Sequence, residues 1–360
     1  MKLYNKKLEE IENQQKTEKI RNLLERMIDF LVKEYGINED VLKERLNNVA
    51  IVERDIQDTS VLVEYNGKKY ERPNSKAGAF FTKKNQEYNG EQWNFENAVY
   101  IGENNDEHQI IHELFHYLSS SLHMQFNEDG IGYDNLGVLI TGYNRKDEVV
   151  DNSLEAKGLN EGITELLTTQ FEGTNSPNVY AYQVCLADIL INKKHNSLIK
   201  AYFSNSESEF KKFLEDLENR QSTISSQKLV SLSANGSTIV DTDLLKGCME
   251  YTLSYCNNMD ELSAERSRLL PIFKRMMGNL ELEYDNEEFD IKNFFSTMFN
   301  EKRNELKDKE EKNKKKDLLE SAIEITEEKV ETKLMEKHAE IIIDNINQRG
   351  KEKTEETERG

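Results

Sequence analysis

Residues Ile110 to Leu118 read Ile-Ile-His-Glu-Leu-Phe-His-Tyr-Leu, and no other segment constrains the chain so tightly. Ile110, Ile111, Leu114, Phe115 and Leu118 keep a helical rhythm, which predicts a buried helix. Asn105 or Asp106 can cap its start, and Asp106 with Gln109 resembles a capping box. In such a helix His112 and His116, four residues apart, stand one above the other on one face, so two imidazoles can share one metal ion. Glu113, about 100° further round, is placed to act as a general base without being a ligand. This H-E-x-x-H pattern points to a zinc-dependent hydrolase. With only six histidines in 360 residues, chance would produce it in roughly one such chain in a hundred.

Zinc of the catalytic kind needs a third protein ligand and one open position. His108 and His123 are eight and seven residues from His116, about 10 to 12 Å along a helix axis, so neither joins both motif histidines on one ion. The extension H-E-x-x-H-x-x-G-x-x-H also fails, because Ser119 and Leu122 occupy its positions. A better candidate lies about 45 residues downstream, where Leu159-Asn160-Glu161-Gly162-Ile163-Thr164-Glu165-Leu166-Leu167 opens a second amphipathic helix. Ile163, Leu166, Leu167 and Phe171 form its apolar stripe, and Glu161 and Glu165 stack one turn apart beside it. The spacing leaves room for a hairpin between two packed helices, which makes Glu161 the candidate third ligand.

His112, Glu113 and His116, followed by Asn160, Glu161, Thr164 and Glu165, resemble the gluzincin metallopeptidases of the thermolysin-like superfamily, whose second motif is N-E-x-x-[ST]-[DE]. The wording is especially similar to intracellular or phage-associated bacterial members, and the resemblance covers about residues 75 to 215. It implies that His112, His116 and Glu161 bind Zn2+, that Glu113 is the general base, and that Glu165, with Asn160 beside it, orients a ligand imidazole. The departure is Glu165, where the thermolysin branch has aspartate, and the longer side chain leaves its partner open. Family members commonly use a Tyr or His to stabilise the oxyanion. Tyr143, Tyr180 and Tyr182 flank the second helix, and of these Tyr182 and Tyr143 are the candidates, with His195 a further one; packing is the competing role for each.

Ala77 to Thr82 and Ala98 to Ile101 read as strands, the second running almost into the motif helix. By the same resemblance, Gly78, Ala79 and Phe80 are candidates for an edge that binds an extended peptide, with an ordinary internal strand the equal alternative. The resemblance therefore predicts an α+β chain: a zincin-like catalytic domain over residues 47–215, with a small twisted sheet and active-site helices. Flanking it are an N-terminal helical region (1–46), a C-terminal helical region (216–300) and a charged helical tail (301–360).

Within these regions, a helix over 5–35 stops at Gly36 and a second starts after Asn38, followed by a first strand at Val49 to Val52. Residues 220–240 read as a connecting loop. Helices resume near Asp241 to Cys256, Met259 to Met277 (interrupted at Pro271) and Phe289 to Phe299. Glu301 to Asp317 holds one apolar residue, Leu306, and reads as a solvated helix or linker. In the tail, Leu319, Ile323, Val330, Leu334, Ile341 and Ile342 recur at helical intervals, so it packs on its own chain or mediates a protein contact. Gly350 to Gly360 reads as disordered.

A net charge of −20 argues against nucleic-acid partners, which need a basic surface. No apolar run reaches signal-peptide or membrane-span length. Cys185, Cys248 and Cys256 form no C-x-x-C pair and read as buried free thiols of a cytoplasmic protein, although export without a signal peptide would leave the same marks. The expected partner is a peptide or protein substrate. An endopeptidase is favoured, because no G-x-M-E-N signature of exopeptidases is present. The rival expectations are an inactive zincin-fold binding protein and a helical scaffold in which the motif is incidental.

Overall fold

The structure, a computed structural model, describes residues 14–47, 50–54, 61–65, 68–72, 79–88, 92–102, 106–146, 148–150, 154–174, 180–192, 196–204, 206–220, 226–234, 239–278, 280 and 282–358; within 14–18, 47–98, 100–102 and 345–358 the backbone alone is described. Helices α1 (Gln14–Tyr35) and α2 (Glu39–Asn47) lead into strands β1 (Ala50–Arg54), β2 (Val61–Tyr65), β3 (Lys68–Arg72), β4 (Ala79–Tyr88) and β5 (Gln92–Gly102). Helix α3 (Glu107–Ser119) follows, then β6 (His123–Gln125), β7 (Ile131–Leu136), β8 (Leu139–Asn144) and β9 (Leu154–Glu155). Next come α4 (Lys157–Glu172), α5 (Ala181–Leu190), α6 (Ser197–Ser204), α7 (Glu207–Arg220) and α8 (Ser226–Val230). The chain ends with β10 (Ile239–Val240), α9 (Thr242–Ser254), α10 (Met259–Gly278), β11 (Glu283–Tyr284) and α11 (Ile291–Glu358). It is a mostly helical α+β chain with small sheets, and it divides into two compact units, residues 1–298 and 299–360.

Local sequence explains the first elements. Ile20, Leu24, Met27, Ile28, Leu31 and Tyr35 bury one face of α1, and Gly36 takes the left-handed conformation (φ 65°) that ends it. Asn38 opens α2, its Oδ1 accepting the Asp40 N–H at 3.0 Å. In the main sheet β5 is central, parallel to β1 and antiparallel to β4 and β6. β4 pairs only with β5 among the described strands, so it is an edge. The β7–β8 hairpin occupies the expected place between α3 and α4. Its turn needs Gly137, whose φ is 62° and whose missing Cβ leaves room for Asn160 and Tyr202.

Helices α1, α3 and α4 meet at Phe30, Phe115 and Phe171, three rings in edge-to-face contact with centroids 5.7 to 6.5 Å apart. Each such pair contributes about 0.5–1.5 kcal/mol beyond area burial. The end of α3 is held from another side by Arg45 of α2. Its guanidinium is buried and donates to the carbonyls of Leu118 and Phe203, where a cation complements the negative end of the helix. These contacts fix the axis of α3, and with it the height of each histidine.

Several sequence expectations are corrected. The segment 220–240 is no simple loop, because Leu229 is buried on α8 and Val240 pairs in β10. Helix α10 runs through Pro271 without a break. Pro271 and Ser267, four residues before it, are both exposed, so the carbonyl that loses its N–H partner faces water while Leu269, Ile272 and Phe273 stay buried. Helix α11 continues to Glu358 through the stretch expected to be disordered, its last residues being mainly helix-favouring Lys and Glu. The tail's apolar residues Leu319, Ile323, Val330, Leu334, Ile341 and Ile342 are 49 to 62% exposed.

The closest helix pair is α4 against α5. A Cβ on Gly162 would lie 2.5 Å from the Gln183 carbonyl oxygen, and backbone cannot rotate away as a side chain can. Gly162→Ala therefore exchanges a helix-propensity gain near 1 kcal/mol for overpacking of about 1–3 kcal/mol. A lower urea midpoint is expected; a raised midpoint would contradict the close packing.

Candidate metal centre

Helices α3 and α4 run antiparallel, so the histidine column of one lies against the glutamate column of the other. Asp106 caps α3 by accepting the His108 N–H at 3.2 Å, which starts the column in phase; Asn105 lies outside the described residues. His112 Nε2 and His116 Nε2 are 3.2 Å apart, and Glu161 Oε2 is 3.2 Å from the first and 3.3 Å from the second. Three donor atoms in a nearly equilateral triangle match a tetrahedral ion with bonds of about 2.0 Å, whose ligands lie about 3.3 Å from one another. Two nitrogens and one carboxylate oxygen also suit zinc chemically. His112, His116 and Glu161 form a group able to hold a metal ion.

The hydrogen bonds around the triangle set the imidazole tautomers. Glu165 Oε2 lies 3.0 Å from His112 Nδ1. Since a carboxylate accepts, the proton belongs on Nδ1 and the Nε2 lone pair faces the triangle. At His116 the Thr164 hydroxyl donates to the Asn160 carbonyl at 2.8 Å, leaving its oxygen to accept from the Tyr202 hydroxyl at 2.6 Å and to face His116 Nδ1 at 3.3 Å, where the Asn160 side-chain amide nitrogen also lies, 3.4 Å away. Asn160 ties this arrangement to the hairpin, its Oδ1 accepting the Val138 N–H at 3.1 Å. The partner that the sequence left open for Glu165 is thus His112.

Electrostatics point the same way. Burial alone would depress the His112 pKa, yet hydrogen bonds accepted by Glu161 and Glu165 and the charge of Glu113 raise it well above the ordinary value. Burial would raise Glu161, but the two imidazoles hold it below the usual carboxylate range. Acidic groups gathered around two buried imidazoles favour positive charge at the centre of the triangle.

Glu113 differs from its neighbours in exposure. From Ile111 to Ser119 every residue of α3 is buried except Glu113, which is half-exposed. Its charge is felt at both His112 and Tyr180.

The tyrosines sort differently from the sequence expectation. Tyr182 is fully buried and its hydroxyl donates to the Asp241 carbonyl at 3.0 Å, so the phenol fastens α5 to the start of α9 and is turned away from the triangle. Tyr143 lies on β8, paired with Gly132 and bridged to Val149. His195 and Gly78 lie outside the described residues, while Ala79 and Phe80 begin the edge strand β4. The tyrosine at the triangle is Tyr180: its ring stacks on His112 at a centroid distance of 6.2 Å. Its hydroxyl is hydrogen-bonded to Glu161, and burial with the charges of Glu161, Glu113 and Glu165 pushes its pKa up to about 12.

Tyr180 is also the only described residue other than glycine with a positive φ, 57°. That costs an L side chain roughly 1 kcal/mol. The strained backbone at the start of α5 turns Tyr180 towards α3, while Tyr182, two residues on, follows the helix into the core. His108, set aside as a ligand by its spacing, lies in the same network. It bonds Glu165 Oε1 at 2.9 Å and Glu172 Oε2 at 2.7 Å, extending the ladder outward from His112. The signal for this was its position four residues before His112, on the same helical face. His123 instead faces Glu44, 3.5 Å away, outside the cluster. No protein-family model matches the chain, and no curated protein or solved structure is detectably similar to it.

Proposed function

We propose that the chain is a zinc-dependent peptidase of gluzincin type, built on a zincin-like catalytic region and favouring endopeptidase action. The observation that carries this reading is the triangle of His112, His116 and Glu161 donors with half-open Glu113 beside it. A site that used metal only for stability would have no need of that base. Bound zinc would supply Lewis acidity, polarising a peptide carbonyl and lowering the pKa of the attacking water.

The remaining chemistry belongs to the chain. Glu113 takes the proton from the attacking water and returns it to the leaving amine. Tyr180, kept protonated, donates its hydroxyl hydrogen to the carbonyl oxygen as negative charge develops there. Glu165 keeps the His112 imidazole in the required tautomer. The edge of β4 that no described strand covers, beginning at Ala79 and Phe80, offers backbone groups to an extended peptide, which would add as a further strand. Cys185, Cys248 and Cys256 are buried and form no disulfide, in keeping with a reducing, cytoplasmic setting. No described helix is long and apolar enough to cross a membrane.

Glu113→Gln is expected to keep its zinc and lose about 10²–10⁴-fold in cleavage of a peptide library. Equal cleavage by the variant and the native protein would sink the mechanism. Tyr180→Phe should lower kcat by about 10²–10³-fold with KM little changed, whereas Tyr182→Phe should leave kcat alone and cost about 1 kcal/mol of stability. Loss of turnover in the Tyr182 variant instead would reverse the assignment.

A further inference from the structure

We infer that residues 315–341 of α11 form a parallel two-stranded coil with a second copy of this chain. This inference is independent of the metal site. Leu319, Ile323, Val330, Leu334 and Ile341 are each about half exposed or more, 49 to 62%. At 100° per residue they fall within about 60° of one another around the helix, a narrow apolar seam. The seam repeats every eleven residues, Leu319 to Val330 to Ile341 and Ile323 to Leu334. That period keeps it nearly in line along the axis, with a slight right-handed drift. Lys316, Thr326 and Lys337 are its polar interruptions, Lys316 lying at the angle of Leu334 and 3.7 Å from Glu320 on its own helix. Leu318, Ile325 and Ile343, also exposed, lie on another side of the helix at wider intervals.

An apolar seam alone does not say what covers it; its flanks do. On one side, at about 50 to 110° from the seam centre, stand Glu320, Glu324, Glu327 and Glu331. On the other stand Lys315, Lys329 and Lys333, with Ala322 between them. The segregation holds to residue 334 and ends at Glu340 on the lysine side. Two parallel copies related by a twofold axis bring the left flank of one against the right flank of the other, so each glutamate row meets a lysine row. Antiparallel pairing does the opposite: glutamates face glutamates and lysines face lysines. A helix carrying both signs, sorted to opposite sides of one seam, is complementary to a parallel copy of itself.

Sedimentation equilibrium of the full chain is expected to give twice the 42.0 kDa monomer mass. Ile323→Asp combined with Leu334→Asp should return it to one chain. Replacing the four glutamates (320, 324, 327, 331) by lysine should also give monomer, and mixing that variant with Lys315→Glu, Lys329→Glu, Lys333→Glu should restore a one-to-one dimer. Leu319→Cys should cross-link copy to copy on oxidation, since the native cysteines are buried. A monomeric or trimeric native chain, a dimer that survives the double aspartate variant, or no cross-link at position 319 would each overturn the inference.

Discussion

Two antiparallel helices with ionisable residues at four-residue intervals impose the constraint on which the rest of the structure depends. Once α3 presents His108, His112 and His116 in a column and α4 presents Glu161 and Glu165 against them, every acid is within reach of two imidazoles. Such an arrangement is costly to bury unless positive charge is held at its centre, because removing carboxylates from water without compensation costs several kcal/mol each. The surrounding packing serves this pair of helices. Phe30, Phe115 and Phe171 hold them together, Arg45 holds the end of α3, and the Gly137 turn lets the hairpin approach Asn160 closely.

What could be read from the sequence follows from what a helix fixes by itself. The relative positions of His112, Glu113 and His116 are set by the helical repeat, as is the pairing of Glu161 with Glu165, so these were legible without knowing the fold. That α3 and α4 face one another was legible more weakly, from their apolar stripes and the length of chain between them. The orientation of Tyr180 was not legible. It depends on one backbone residue in the left-handed region, which tyrosine seldom adopts, and position beside the second helix did not separate it from Tyr182 and Tyr143. Pro271 misled for a related reason: a local breaking signal was overridden because its lost hydrogen bond falls on the wet face of α10. His108 was judged only as a ligand, and its place in the ladder needed the position of Glu172 on the opposite helix.

The two units solve different physical problems. In residues 1–298 charge is brought inside and compensated at close range. In residues 299–360 charge stays in water, sorted to two sides of an exposed apolar seam. Buried electrostatics give the first unit a group able to hold a metal ion, while surface electrostatics give the second the pairing direction inferred above.

X-ray absorption at the zinc edge, on protein carrying one equivalent of zinc, reads the ligand shell itself. Two imidazole nitrogens and carboxylate oxygen at about 2.0–2.1 Å are expected, with the oxygen contribution altered in Glu161→Ala. Failure to retain one equivalent of zinc, a sulfur shell near 2.3 Å, or a spectrum unchanged by the Glu161 substitution would contradict the proposed site.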